Sequence, residues 1–168
     1  PNIEILNDKS PEKARERAME MGDEKLREVQ EILKELPEES RKKVEVLRWD
    51  EVTQNDLYQK NRQVLKDAFG NDEQFKDYII QCVKDARKDR AKTLEKLAPA
   101  QLDRLADYII DELPLFTCGI VSPYTKEVYN LLPYPGISKI NEIEEGLQNR
   151  TIFPHIADKL TFIKKTAV

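Results

Sequence analysis

The amino-acid sequence predicts an α/β fold in which helices flank a mainly parallel sheet, and three observations carry that expectation. Runs rich in β-branched and aromatic residues at 3–6, 44–49, 116–121 and 127–132 read as strands. Long amphipathic stretches with apolar residues at helical spacing lie between the first, second and third of these runs. At 168 residues the chain is about the size of one domain, and strands separated by long helices pair in parallel through crossover connections.

Residues 3–6 (Ile-Glu-Ile-Leu) form the first expected strand, and Ser10-Pro11 with Glu12 and Lys13 opens a helix, since proline suits the first helical turn. Ala18, Met21, Val29, Ile32, Leu33 and Leu36 then recur at helical spacing until Pro37 stops the pattern. The polar face mixes Lys13, Arg15, Arg17, Lys25 and Arg27 with at least as many glutamates, which is ordinarily a solvated face. Arg41-Lys42-Lys43 precedes the expected strand at 44–49. Two helices follow. One carries Leu57, Tyr58, Val64, Leu65, Ala68 and Phe69, with Gly70 as its stop; the other carries Phe75, Tyr78, Ile79, Cys82, Val83 and Ala86. Lys84, Arg87, Lys88, Arg90, Lys92 and Lys96 form the densest basic stretch. Pro99 opens a further helix, apolar at Leu102, Leu105, Ala106, Ile109, Ile110 and Leu113, which Pro114 is expected to end. Residues 122–125 connect the last two expected strands, residues 133–136 make a turn, and helical patches at 141–147 and 160–164 close the chain.

Charged residues make up 36% of the chain, hydrophobic ones 39%, and the net charge is −4, so a polyanion must bind a local basic patch. No apolar run approaches the roughly 20 residues of a membrane span, and residues 1–10 lack the layout of a signal peptide. The reading is a cytoplasmic protein without a membrane partner. Cys82 and Cys118 lie in apolar surroundings without metal-ligand or disulfide spacing and read as reduced core thiols; His155, the only histidine, reads as packing. No metal site is indicated. Five glycines and no glycine-rich phosphate loop argue against nucleotide cofactors.

Tyr108 and Glu112 lie four residues apart and so share one face of a helix, able to grip a single group. Ile109, Leu113, Leu115 and Phe116 flank Glu112, so its carboxylate is partly desolvated and a substrate ammonium would compensate its charge. The spacing alone arises often by chance, the plain alternative being a core tyrosine beside a surface glutamate.

Residues 107–116, Asp-Tyr-Ile-Ile-Asp-Glu-Leu-Pro-Leu-Phe, resemble the Tyr-x-x-x-Glu-x-Pro signature of the cyclodipeptide synthases. The order of elements from about residue 10 to about residue 140 is similar too: Ser10-Pro-Glu-Lys-Ala14 and a long helix, then residues 46–50 (Val-Leu-Arg-Trp-Asp), a helix pair and the helix at 102–115. Tyr129 falls where that family carries a second active-site tyrosine; Tyr124 and Tyr134 are substitutes for it, since Asn130 departs from the family's usual next residue. The resemblance implies a Rossmann-like three-layer fold related to the catalytic domains of class I tyrosyl- and tryptophanyl-tRNA synthetases. It also implies a monomeric enzyme that joins aminoacyl groups from two aminoacyl-tRNAs, without ATP, into a diketopiperazine by ping-pong acyl transfer through a serine. Tyr108 and Glu112 would hold the α-ammonium, Glu112 would accept a proton, Tyr129 would act near the nucleophile, and Leu115 would line the first aminoacyl pocket. Lys13, Arg15, Arg17, Lys25 and Arg27 would face tRNA phosphates. The family's nucleophile stands in a Gly-x-Ser context, which Ser10, Ser40, Ser122 and Ser138 do not match. The chain therefore reads as one catalytic domain over residues 1–168 without its N-terminal strands and nucleophile segment. A non-catalytic module binding tRNA or a protein partner is the alternative.

Overall fold

The computed structural model describes residues 11–86, 94–129 and 138–163, with the side chains of residues 11, 12, 14 and 15 outside that description. The expected strand at 3–6 and most of the basic stretch between Lys84 and Lys96 lie outside the described residues. The chain divides into two compact units, Pro1–Glu51 and Val52–Val168.

In the first unit, α1 (Pro11–Lys34) runs 24 residues and is followed by the single turn α2 (Glu38–Arg41). Exposed pairs line α1, Lys25 to Glu28 at 2.6 Å and Lys34 to Glu31 at 2.6 Å, and Lys42 pairs with Glu38 of α2 at 2.8 Å. Each such pair contributes only about 0.2–0.5 kcal/mol, so the long helix depends on its apolar stripe being covered. Residues 44–48, read from sequence as a strand, have no strand partner among the described residues. Arg48 instead ties this segment to α1 through Asp23 at 2.5 Å. Trp49 starts the turn α3 (Trp49–Val52), because the Glu51 carboxylate accepts the Arg48 N–H at 2.7 Å and caps the helix start.

The second unit is built on three helices packed on one another, α4 (Asp56–Asn71), α5 (Glu73–Ala86) and α6 (Pro99–Cys118). Their shared core holds Leu65, Phe75, Ile79, Cys82, Leu105, Ile109, Ile110 and Leu113, each no more than 3% exposed. Asn55 starts α4 by accepting the N–H groups of Leu57 and Tyr58. Gly70 does not stop α4, which runs on to Asn71; Asp72 then caps α5 through the Phe75 N–H.

Pro114 does not end α6 either. A proline inside a helix costs about 3 kcal/mol through a lost bond and a clash, yet the helix continues four residues to Cys118. Leu113, Leu115, Thr117 and Cys118 are all buried, and full burial of one such apolar side chain is worth about 1.5–3 kcal/mol. The Tyr58 hydroxyl donates to the Asp111 carbonyl at 2.8 Å, next to the carbonyl that proline leaves without a donor, and Thr117 donates back to the Pro114 carbonyl at 2.8 Å. The helix ends at Gly119, whose φ of 67° and ψ of −177° favour glycine.

Beyond Gly119, β1 (Ile120–Val121) and β2 (Val128–Tyr129) pair antiparallel, Ile120 opposite Tyr129 and Val121 opposite Val128. This two-stranded sheet is the sheet among the described residues. The chain is thus a mainly helical α/β protein here, and the mainly parallel sheet expected from sequence is not shown. The connection is the reason: six residues can close a hairpin, whereas a parallel pair needs a dozen or more. The helix α7 (Lys139–Gln148) is capped by Ser138, and the turn α8 (Pro154–Ala157) follows it. Residues 161–163 are then stitched to the core. Asn61, fully buried, takes the Thr161 N–H at 3.0 Å and donates to the Thr161 carbonyl and the Thr117 hydroxyl, both at 2.8 Å.

Both cysteines are free and buried, as read from sequence. His155 is not core packing: it is exposed, and its Nε2 lies 2.7 Å from the Asp72 carboxylate. No helix among the described residues is long and apolar enough to cross a membrane.

Candidate active site

The second half of α6 brings Tyr108 and Glu112 together. Tyr108 is 45% exposed, whereas Glu112 is half-buried, because α6 turns one edge toward solvent and sinks into the core from Leu113 onward. The Tyr108 hydroxyl donates to the Glu112 carboxylate. Burial raises the pKa of Glu112 above the ordinary carboxyl range, and the tyrosine's hydrogen bond opposes that rise without cancelling it. No cation among the described residues pairs with this carboxylate. A desolvated carboxylate met, among the described residues, by a neutral donor is suited to take a cation from solution or to accept a proton.

The residue just before Glu112 is held from α4. Arg62 Nε donates to the Asp111 carboxylate at 2.6 Å, both side chains being less than a third exposed. Tyr58, one helical turn before Arg62, donates to the Asp111 carbonyl and accepts from the Arg62 guanidinium. Burial and then the Asp111 charge push the Tyr58 hydroxyl up to about 12, so it stays a donor. Sequence reading placed Tyr58 in the core and passed over Arg62 and Asp111. The partners are 49 and 53 residues apart, a separation that no local spacing signals.

Leu115, about one turn further along α6 than Glu112, is 3% exposed. Tyr129 stands on β2, 39% exposed, with its hydroxyl donating to Glu127 at 3.0 Å. Its carbonyl oxygen would lie 2.8 Å from a Cβ at position 119, so Gly119 lets β2 fold back against the end of α6. Two of the described serines have structural work. Ser122 is buried and accepts the N–H groups of Tyr124 and Thr125, and Ser138 caps α7.

On α1, Lys13, Arg17, Lys25 and Arg27 are exposed, and the side chain of Arg15 lies outside the described residues. At about 100° per residue, Lys13, Arg17 and Arg27 fall within about 80° of one another, but Glu20, Glu24 and Glu31 fall on the same stripe. The helix therefore presents mixed charge.

Compared with known families, residues 7–124 match the model of the cyclodipeptide synthases. The chain belongs to the cyclodipeptide synthase family. Neither curated proteins nor solved structures gave a match. The match spans α1 to β1 and contains Tyr108, Glu112, Leu115, Tyr58, Arg62 and Asp111; Tyr129 lies beyond it. Membership brings the activity of the cyclodipeptide synthases in general, transfer of aminoacyl groups that arrive on tRNA.

Proposed function

We propose that this cyclodipeptide synthase family member joins two aminoacyl groups from aminoacyl-tRNAs into a cyclic dipeptide through an aminoacyl-enzyme, with Tyr108 and Glu112 holding the α-ammonium of the bound aminoacyl group. The observation that carries the reading is the half-buried Glu112 carboxylate, partnered by the Tyr108 hydroxyl and by no described cation.

The chemistry needs three acyl transfers. A serine hydroxyl attacks the first tRNA ester, so a serine ester forms and the tRNA leaves with its ribose hydroxyl restored. For a dipeptide to remain on the serine, the amine of the bound aminoacyl group must attack the second tRNA ester, releasing the second tRNA. The new free amine then attacks the serine ester, which closes the diketopiperazine ring and restores the serine. In the last two steps an ammonium must first lose a proton, and Glu112 is placed to accept it. Burial makes its carboxylate a stronger base than an exposed one. Tyr129 is assigned to proton relay near the nucleophile, Leu115 to the wall of the first aminoacyl pocket, and the α1 cations Lys13, Arg15, Arg17, Lys25 and Arg27 to the tRNA backbone. A Rossmann-like three-layer arrangement with a parallel sheet, in one catalytic domain, belongs to the same reading, as do independence from ATP, a monomer and a cytoplasmic location.

The test supplies the full-length protein with aminoacyl-tRNAs and seeks a diketopiperazine by mass spectrometry. Product is expected with at least one aminoacyl-tRNA pair and its loss with Glu112→Gln. Tight tRNA binding without product from any aminoacyl-tRNA would instead establish a non-catalytic binding module.

A further inference from the structure

We propose that Arg104 binds the backbone phosphate of the terminal nucleotide of the aminoacyl-tRNA whose ammonium rests on Tyr108 and Glu112, an inference that rests on the reading of that pair given above. Arg104, Tyr108 and Glu112 stand at i, i+4 and i+8 on α6, so they form one stripe along the helix. Arg104 is exposed and makes no hydrogen bond or ion pair with any described residue. The neighbouring charges are otherwise engaged: Asp103 with Lys76 at 3.1 Å, Asp111 with Arg62 at 2.6 Å.

Direction separates Arg104 from an ordinary surface arginine. Past Glu112, α6 runs into the core, and Leu113, Pro114, Leu115, Thr117 and Cys118 are all buried. Toward the helix start, Tyr108, Asp107 and Arg104 are all exposed. A polymer joined to an acyl group at Tyr108 and Glu112 therefore has its open path along the stripe toward Arg104. Lengths agree as well. The ammonium and the nearest phosphate of an aminoacyl-tRNA are the two ends of one aminoacyl-nucleoside, about 10 Å apart when extended, and the eight residues from Arg104 to Glu112 rise about 12 Å.

Charge gives the third argument. Asp107 and Glu112 make this edge of α6 acidic, which suits an ammonium and repels a phosphate. Arg104 supplies the cation of this stripe, and its planar fork can take two phosphate oxygens at once. The edge thus offers opposite charges to the two ends of the substrate, which fixes the direction in which it lies.

Binding to the intact chain tests this with two probes: tRNA carrying an amide-linked amino acid, and the same amino acid amide-linked to adenosine without phosphate. Arg104→Ala is expected to weaken the tRNA probe about tenfold and to reduce the slope of log affinity against log salt by about 0.7, leaving the adenosine probe unchanged. Arg104→Lys should recover part of that loss. An unchanged tRNA affinity and slope, or equal losses for both probes, would overturn the assignment. Glu112→Gln should weaken both probes; if it weakens neither, the reading of the ammonium site fails, whatever Arg104 does. Failure of the unaltered chain to bind either probe overturns both.

Discussion

Tyr108 donates its hydroxyl to Glu112 across one turn of α6, and the carboxyl it touches is nonetheless harder to ionise than an exposed one. The desolvation that raises the Glu112 pKa outweighs a hydrogen bond that favours the charged form. A carboxyl held in that balance is expected to cost the fold stability once it ionises.

Stability against pH should show this cost. Glu112 has a folded pKa raised above its unfolded value, so its favourable contribution is complete below the unfolded value of 4.5 and is lost as pH rises through the folded one. Glu112→Gln removes the ionisation. The variant is expected to melt about 2–4 °C higher than the unaltered chain at pH 7, the gap closing toward pH 4. Thermal unfolding followed by circular dichroism at both pH values decides it, and a variant less stable at pH 7 would show that Glu112 is a structural residue.

The bracket behind the site makes a separate prediction. Tyr58→Phe deletes the donor to the partly buried Asp111 carbonyl, three residues before Pro114. The expected loss is about 1–3 kcal/mol in urea unfolding. Arg62→Leu should cost a similar amount by leaving Asp111 without its cation, and Asp111→Asn in that background should recover part of it. Additive losses would show that the pair is not coupled.

How much of this was legible in the sequence follows from range. The helices were, because Leu105, Ile109, Ile110 and Leu113 announce a buried face at helical period, and the Tyr108/Glu112 pair was, because its partners are four residues apart. The stop at Pro114 was misjudged, since local chemistry says that proline ends a helix while the burial of Leu115, Thr117 and Cys118 and the distant Tyr58 hydroxyl say otherwise. The strand at 44–49 was read from β propensity, but a strand exists only with a partner, and Glu51 capping Arg48 turned its end into a helix. For His155 the sequence suggests packing, because nothing local names Asp72, 83 residues away, as its partner.

Gly119 carries a conformational prediction. Its backbone sits at a positive φ that L side chains rarely adopt, and an added Cβ would lie 2.8 Å from the Tyr129 carbonyl oxygen and 3.1 Å from Val128 Cγ1. Gly119→Ala should therefore cost about 3 kcal/mol or more, from strain together with displacement of β2. Because the clash falls on the strand carrying Tyr129, amide hydrogen exchange at residues 120, 121, 128 and 129 should quicken more than in α4 and α5. Uniform acceleration across the second unit would locate the damage in the helices instead.

The two thiols should be silent until the chain unfolds. Burial pushes Cys82 up to about 12 and Cys118 up to about 11, and the thiolate is the reactive form. At pH 8 both are almost wholly protonated as well as inaccessible. An aromatic disulfide reagent at pH 8 should label neither in the native chain and both in denaturant, with the labelling rate under native conditions rising as stability falls across a series such as Tyr58→Phe and Gly119→Ala. Cys118 lies one residue from Gly119 and Cys82 lies in α5, so Gly119→Ala should expose Cys118 sooner than Cys82. Equal labelling rates for the two thiols in that variant would mean that α6 and the hairpin open only with the whole unit.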